Sequence, residues 1–164
     1  MGRINSKHKG NNWERAVRNV LIEATGDQGF ARVPNSGAIG TNYRKEGKME
    51  AEITDYMSGD IISPKNFNYS VECKAYKSFE FNQVLQGDCA KLDLWIEQAS
   101  KDSKASNKKM LIFIKIDRCV KMVLYDALEI EAEFDNYFMY KNRYILVEMD
   151  TFVAKIINTI KKVE

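Results

Sequence analysis

The sequence predicts an α/β fold, a mixed central β-sheet flanked by helices, formed as a single domain over residues 1–164. Three observations carry this. Trp13, Ala16, Val17, Val20, Leu21 and Ala24 form an apolar stripe at helical spacing near the amino terminus. Met110-Leu-Ile-Phe-Ile-Lys-Ile116 is the most apolar run in the chain and reads as a central strand buried on both faces. Between and after these, short β-prone runs alternate with helical stripes, without an internal repeat, low-complexity tract or linker.

In chain order, residues 1–10 are expected to form a flexible basic arm. Asn11 or Asn12 then caps the first helix, which runs to about Thr25 and is stopped by Gly26. Phe30-Ala-Arg-Val33 reads as a short strand ended by Pro34, followed by a loop of turn formers, Asn35-Ser36-Gly37-Ala38-Ile39-Gly40. Thr41 to Ser58 is polar and charged with little periodicity, an irregular insertion. Asp60–Ser63 and Tyr69–Tyr76 are predicted strands, and the five residues joining them favour an antiparallel hairpin. Phe79-Glu-Phe81 is a short extension, and Gly87 or Asp88 starts a helix to about Ser103 with Cys89, Leu92, Trp95, Ile96 and Ala99 facing inward. After Met110–Ile116 come a strand at Val120–Tyr125 and an acidic stretch, Leu128 to Phe134, whose alternation fits strand or helix equally. The last elements are a strand at Arg143–Glu148 and an amphipathic helix capped by Asp150, with Phe152, Val153, Ile156, Ile157 and Ile160 on its apolar face.

Composition narrows the chemistry. The chain is 45% hydrophobic and 29% charged, the balance of an ordinary globular domain. No apolar run approaches the roughly 18 residues needed to span a bilayer, and Met1 to Asn12 has no apolar signal core, so no membrane is expected and the cytoplasm is the expected compartment. Cys73, Cys89 and Cys119 are odd in number and widely spaced, and are expected to be reduced core thiols. His8 is the single histidine, which excludes Ser-His-Asp and Cys-His catalysis. A hydrolase built from this chain has to work with carboxylates, lysines and metal.

The stretch Asp60 to Lys74 supplies such a set. Within the second strand Glu72 and Lys74 lie two residues apart and share a face, while Cys73 points to the other. An aspartate at the head of the adjacent strand brings a second carboxylate, and two carboxylates with one ammonium suit a divalent metal beside a phosphate. Chance alone yields roughly 3 to 4 acidic-x-basic triplets in a chain of this composition. Glu46-x-Lys48 and Asp102-x-Lys104 lie in polar stretches and read as solvated surface, whereas Glu72-x-Lys74 is embedded in a β-prone run. Glu14 flanks the stripe of the first helix. It is open to two readings, a surface pair with Arg18 one turn on or a third acidic group aimed at the metal site. The uneven charge, with Lys7, Lys9 and Arg15 near the start and Lys101, Lys104, Lys108 and Lys109 in a later loop, allows a basic DNA-facing surface.

A helix bearing an acid, a strand, a Ser/Gly loop, an Asp strand, a Glu-x-Lys strand, a helix and an apolar strand, in that order, resemble the PD-(D/E)xK nuclease superfamily. More narrowly they resemble its archaeal and phage Holliday junction resolvases. The pieces are Lys9-Gly10-x-x-x-Glu14, Arg32-Val-Pro-Asn-Ser36-Gly37-Ala38, Gly59-Asp60-Ile-Ile, Val71-Glu72-Cys73-Lys74, Leu94-Trp95-Ile96-Glu97-Gln98-Ala99 and Leu111-Ile-Phe-Ile-Lys115. The resemblance implies a restriction-endonuclease-like core, Mg²⁺ dependence with Mn²⁺ able to substitute, a homodimer, and cleavage of branched DNA in a host cytoplasm if phage-encoded. It implies Glu14, Ser36, Asp60, Glu72 and Lys74 as catalytic residues. The metal would be held by Asp60, Glu72, the backbone carbonyl of Cys73 and, through water, Glu14. Lys7, Lys9, Arg15, Arg44 and Lys45 are the expected DNA contacts. The pattern departs from the family in its long Thr41–Gly59 segment, which lets Asp55 compete with Asp60, and in Gly59 where the family has proline. Residues 117–164 form a carboxy-terminal extension beyond the match. The rivals are a restriction or repair-type nuclease on duplex DNA and a junction-binding protein that does not cut.

Overall fold

The computed structural model describes residues 6–33 and 59–157, with side chains from residue 9 onward. Ser36, Arg44, Lys45, Asp55 and the end of the last predicted helix lie outside the described residues, as does the side chain of Lys7.

Helix α1 spans Ser6–Thr25. Most of its apolar stripe packs where the spacing predicts, with Trp13, Val17, Leu21 and Ala24 buried and Val20 half-buried, but Ala16 faces solvent. It ends at Gly26, whose φ of +78° suits a residue without Cβ and whose N–H donates to the carbonyl of Ile22 at 2.7 Å. Residues 6–10 of the expected flexible arm are helical, since the helix begins at Ser6, ahead of the predicted Asn11 or Asn12 cap; residues 1–5 lie outside the described residues. Long-range ties hold this first part of the helix to the sheet. Lys9 Nζ donates to Asp117 Oδ2 at 2.6 Å, and Trp13 Nε1 donates to the Phe113 carbonyl at 2.9 Å.

Among the described residues the sheet has seven strands in the order β1-β2-β3-β4-β5-β7-β6. They are β1 (Ala31–Arg32), β2 (Ile61–Ile62), β3 (Tyr69–Tyr76), β4 (Lys109–Ile116), β5 (Met122–Asp126), β6 (Phe138–Tyr140) and β7 (Tyr144–Glu148). β3 and β4 are parallel, in register from Tyr69 opposite Lys109 to Tyr76 opposite Ile116, and every other pairing is antiparallel. The crossover between β3 and β4 runs through α2 (Phe81–Leu85) and α3 (Ala90–Ala105). The expected mixed α/β sheet with flanking helices is thus present.

β4 is the central strand its sequence predicts, and its alternation divides the core into two layers. Leu111 and Phe113 face Trp13, Val17 and Leu21 of α1, while Met110, Ile112, Ile114 and Ile116 face Leu92, Trp95 and Ala99 of α3. The chain after β4 extends the same sheet. Helix α4 (Met149–Phe152) and the π-helical turn Val153–Ile157 pack Met149, Phe152 and Ile157 into the α1 layer.

Several local expectations are corrected. Phe79–Phe81 is not a strand extension; Phe81 opens α2, and Phe79 stacks on Trp95 at 5.3 Å. The 128–134 stretch forms no regular element, though Ile130 and Phe134 are buried. β6 was not anticipated, because three residues are too few to show a period. The final helix is capped by Glu148, whose carboxylate accepts from the Thr151 N–H at 2.8 Å, and not by Asp150. Of the cysteines Cys89 is buried, but Cys119 is exposed on the turn after β4 and is not a core thiol.

Candidate active site

The site forms where β2 leaves β3. Antiparallel pairing between them is confined to Ile61 opposite Val71. One residue earlier, the Asp60 N–H donates to the Val71 carbonyl at 2.8 Å. Beyond Val71 no described strand pairs with β3 on that side. A strand residue sends its N–H and C=O to the same side, and Val71 and Cys73 share parity, so the backbone of Cys73 faces this opening. Its N–H donates to Asp60 Oδ2 at 2.8 Å. The Asp60 carboxylate therefore caps the unpaired backbone between Glu72 and Lys74.

Gly59 makes this approach possible. Its φ is +81°, and a Cβ there would lie 2.5 Å from the Val71 carbonyl oxygen. A proline, locked near −65°, does not fit that backbone, which explains why the residue before Asp60 departs from the family pattern. Gly59→Ala is expected to destabilise the fold by about 1–2 kcal/mol or more. Because the displaced residue is next to Asp60, cleavage should fall as well. Urea unfolding alongside an activity assay checks this, and wild-type behaviour in both would contradict the geometry.

Glu72 and Lys74 share the α3 face of β3, as the two-residue spacing predicts. Glu72 is 2% exposed, and Lys74 Nζ donates to its Oε2 at 2.8 Å and to Gln98 Oε1 of α3 at 3.1 Å. Burial, and next the charge of Asp60, push the Glu72 carboxyl up to about 8, with Lys74 pulling the other way. For Lys74 burial disfavours the ammonium, but the Glu72 carboxylate outweighs it and holds the group above its ordinary value. The site thus keeps one ammonium and resists a second negative charge. Burial and then the charges of Asp60, Glu72 and Glu14 push the Cys73 thiol well up, which places all three carboxylates around this residue.

Glu14 is not the surface pair with Arg18; it turns inward to a different partner, Arg32. It is buried at 7% and accepts from Arg32 through Nε at 2.8 Å and Nη2 at 2.5 Å. Arg32 also donates to Asn11 at 2.9 Å, while Arg18 bonds its neighbour Asn19. Arg32 and Gln98 were missed as site residues. Arginine on a two-residue strand carries no periodic signal, and a glutamine on an exposed helix face resembles surface. Of the expected DNA contacts, Lys9 is tied to Asp117 and Arg15 is exposed.

The donor set is oxygen-rich and negatively charged, which fits a hard divalent cation: magnesium needs only one or two carboxylates and keeps several waters. Among the described residues no three His, Cys, Asp or Glu side chains converge as a metal cluster. The groups that could hold such an ion are the carboxylates of Asp60 and Glu72 and the Cys73 carbonyl on the open side of β3. No described helix is long and apolar enough to cross a membrane.

Protein D14 of Escherichia phage T5 is 30% identical over 126 residues, covering 76% of this chain and 72% of that protein. A Holliday junction resolvase, Hjc of Archaeoglobus fulgidus, aligns over 93% of this chain and 95% of its own at 14% identity and a TM-score of 0.40, a likeness too distant to bear on substrate. The family described as "Phage putative PDDEXK endonuclease" matches residues 5–163. With the Asp60, Glu72 and Lys74 constellation at its centre, the chain belongs to this phage family of PD-(D/E)xK nucleases.

Proposed function

We propose that this protein is a divalent-metal-dependent DNA endonuclease that cleaves four-way junctions as a homodimer. The observation that carries the cleavage reading is the meeting of Asp60 and Glu72 at one strand fork, with the Lys74 ammonium 2.8 Å from Glu72. Junction selectivity rests on the order of motifs from Lys9 to Lys115, which is that of the resolvases. The dimer rests on the same resemblance and on geometry, since symmetric incision of two strands needs two sites.

Asp60, Glu72 and the Cys73 carbonyl would hold Mg²⁺ or Mn²⁺, with Glu14 reaching it through water. When bound, such an ion neutralises the phosphate and acidifies a water for in-line attack. Lys74, charged and already aimed into the site, stabilises negative charge growing on the phosphate oxygens. Gln98 shares the Lys74 ammonium with Glu72 and holds it on the α3 side of the site, and Arg32 holds Glu14 against β3. Ser36, outside the described residues, is assigned to placing the scissile strand.

The test is incubation with labelled four-way junction or linear duplex of matched sequence, with Mg²⁺ or EDTA. Paired metal-dependent cuts on the junction alone are expected. Equal cutting of the duplex would favour a restriction or repair-type nuclease. Tight junction binding without cuts in any divalent metal would make it a non-cleaving binder.

A further inference from the structure

The row of side chains that begins at Glu72 and Lys74 does not stop there. Tyr76 is the next residue on that face of β3, roughly 7 Å beyond Lys74 at the ordinary strand rise. α3 meets the row in antiparallel order. Asp102 acts by its charge on Glu72, Gln98 accepts from Lys74, and Trp95 lies against Tyr76 with ring centroids 4.9 Å apart. Lys91, one turn further along α3, places its Nζ 5.0 Å from the Tyr76 ring centroid.

Tyr76 belongs to a chain of four rings, Tyr76, Trp95, Phe79 and Phe81, with successive centroids 4.9, 5.3 and 5.4 Å apart. The inner pair is buried, Trp95 at 5% and Phe79 at 9%, but Tyr76 and Phe81 are each 38% exposed. The rim of the nuclease site therefore carries a rigid aromatic surface, backed by packed rings, with the Lys91 ammonium lying over the Tyr76 ring where an incoming base would displace it. That is the chemistry that holds a flat nucleobase while its phosphates meet lysine. The surroundings, with Lys77, Glu80 and Lys91 exposed, are too charged for an apolar protein interface.

We propose that Tyr76, backed by Trp95, stacks a base left open at a DNA branch point in the place over its ring that the Lys91 ammonium holds in the free protein, next to the phosphate engaged by Asp60, Glu72 and Lys74. This rests on the endonuclease reading and supplies a physical source for its selectivity. In continuous duplex both faces of every base are covered by its neighbours, so stacking on Tyr76 requires extrusion, which is least costly where pairing is already interrupted. Tyr76 is a specificity residue and takes no part in bond breaking.

The test measures binding in EDTA, so that it does not depend on cleavage, using fluorescent four-way junction competed with linear duplex. Wild type and Tyr76→Phe should prefer the junction equally. Tyr76→Ser should lose at least about tenfold in junction affinity while duplex affinity stays within about twofold. Unchanged junction affinity, or equal loss on both substrates, would overturn the proposal. On wild-type protein, a junction carrying 5-iodouracil at the branch point should photocrosslink to Tyr76, and a crosslink mapped elsewhere would also overturn it. Wild type with no preference for junction over duplex would sink the junction reading together with this inference, whereas a preference that survives Tyr76→Ser sinks the inference alone.

Discussion

Glu72→Gln and Asp60→Asn are each expected to lower the cleavage rate by at least about a hundredfold to a thousandfold while leaving junction affinity in EDTA unchanged or stronger. Both substitutions preserve shape. Glutamine at 72 still offers an oxygen to Lys74, and asparagine at 60 still offers one to the Cys73 N–H. What each removes is one negative charge from the donor set. In EDTA below about pH 8 Glu72 is already protonated, so its substitution should leave binding unchanged, whereas loss of the Asp60 charge weakens repulsion of phosphate and should strengthen it. Glu72→Gln carries a second signature in metal-free protein. The folded-state value for Glu72, about 8, lies above its ordinary 4.5, so folding binds the proton more tightly. Its stabilising contribution is complete below about pH 4.5 and is lost as pH rises through about 8. Glutamine has no proton to lose. The variant should therefore melt higher than wild type at pH 8.5 in EDTA, by an amount worth a few kcal/mol, and the gain should vanish at pH 4.5. A Glu72→Gln protein that cuts normally would remove this residue from the site. Full activity in Asp60→Asn with loss in Asp55→Asn would move the metal aspartate to position 55.

How much of this arrangement was legible depends on the kind of signal each part leaves. The two layers around β4 were legible because burial on both faces demands an uninterrupted apolar run, and Met110–Ile116 has one. Glu72 and Lys74 were legible because strand alternation fixes which residues share a face. Asp60 was placed correctly at the head of the neighbouring strand. Its capping of the Cys73 N–H was not foreseen, since that depends on β2 parting from β3 after a single paired residue. On sequence Gly59 is only a departure from the family's proline; its positive φ and the nearby Val71 carbonyl make it a requirement of the close approach. Glu14 was ambiguous on sequence because helical spacing offers Arg18 as readily as the interior. Arg32, eighteen residues away, takes it from Arg18 and turns it inward. Contacts between elements leave no periodic trace, and that is where the reading of Arg32, Gln98 and β6 failed.

With Glu72 holding the metal, as proposed, its raised carboxyl sets the pH response of cleavage. A divalent cation and a proton compete for the same group, and binding the cation requires the proton to leave. At subsaturating Mg²⁺, cleavage should rise with pH, at most about tenfold per unit, and level off near pH 8. Lys74 is held above its ordinary value by Glu72, so it stays charged throughout this range and adds no falling limb. Raising the Mg²⁺ concentration should shift the midpoint to lower pH, because mass action favours the cation over the proton. Calorimetry checks this independently of cleavage. Titrating Mg²⁺ at pH 7 in two buffers of different ionisation enthalpy should give different heats, corresponding to release of about one proton per site. Identical heats in the two buffers, with a rate midpoint indifferent to Mg²⁺, would mean that Glu72 is ionised before the metal arrives. The charge of Asp60 and the burial of Glu72 would then have to be offset by a cation other than Lys74. Because Lys74 already donates to both Glu72 and Gln98, Gln98→Leu discriminates the two situations. Freed of the glutamine, the Lys74 ammonium leans fully on Glu72, so the midpoint at low Mg²⁺ should fall while the rate at saturating Mg²⁺ and pH 8.5 changes little.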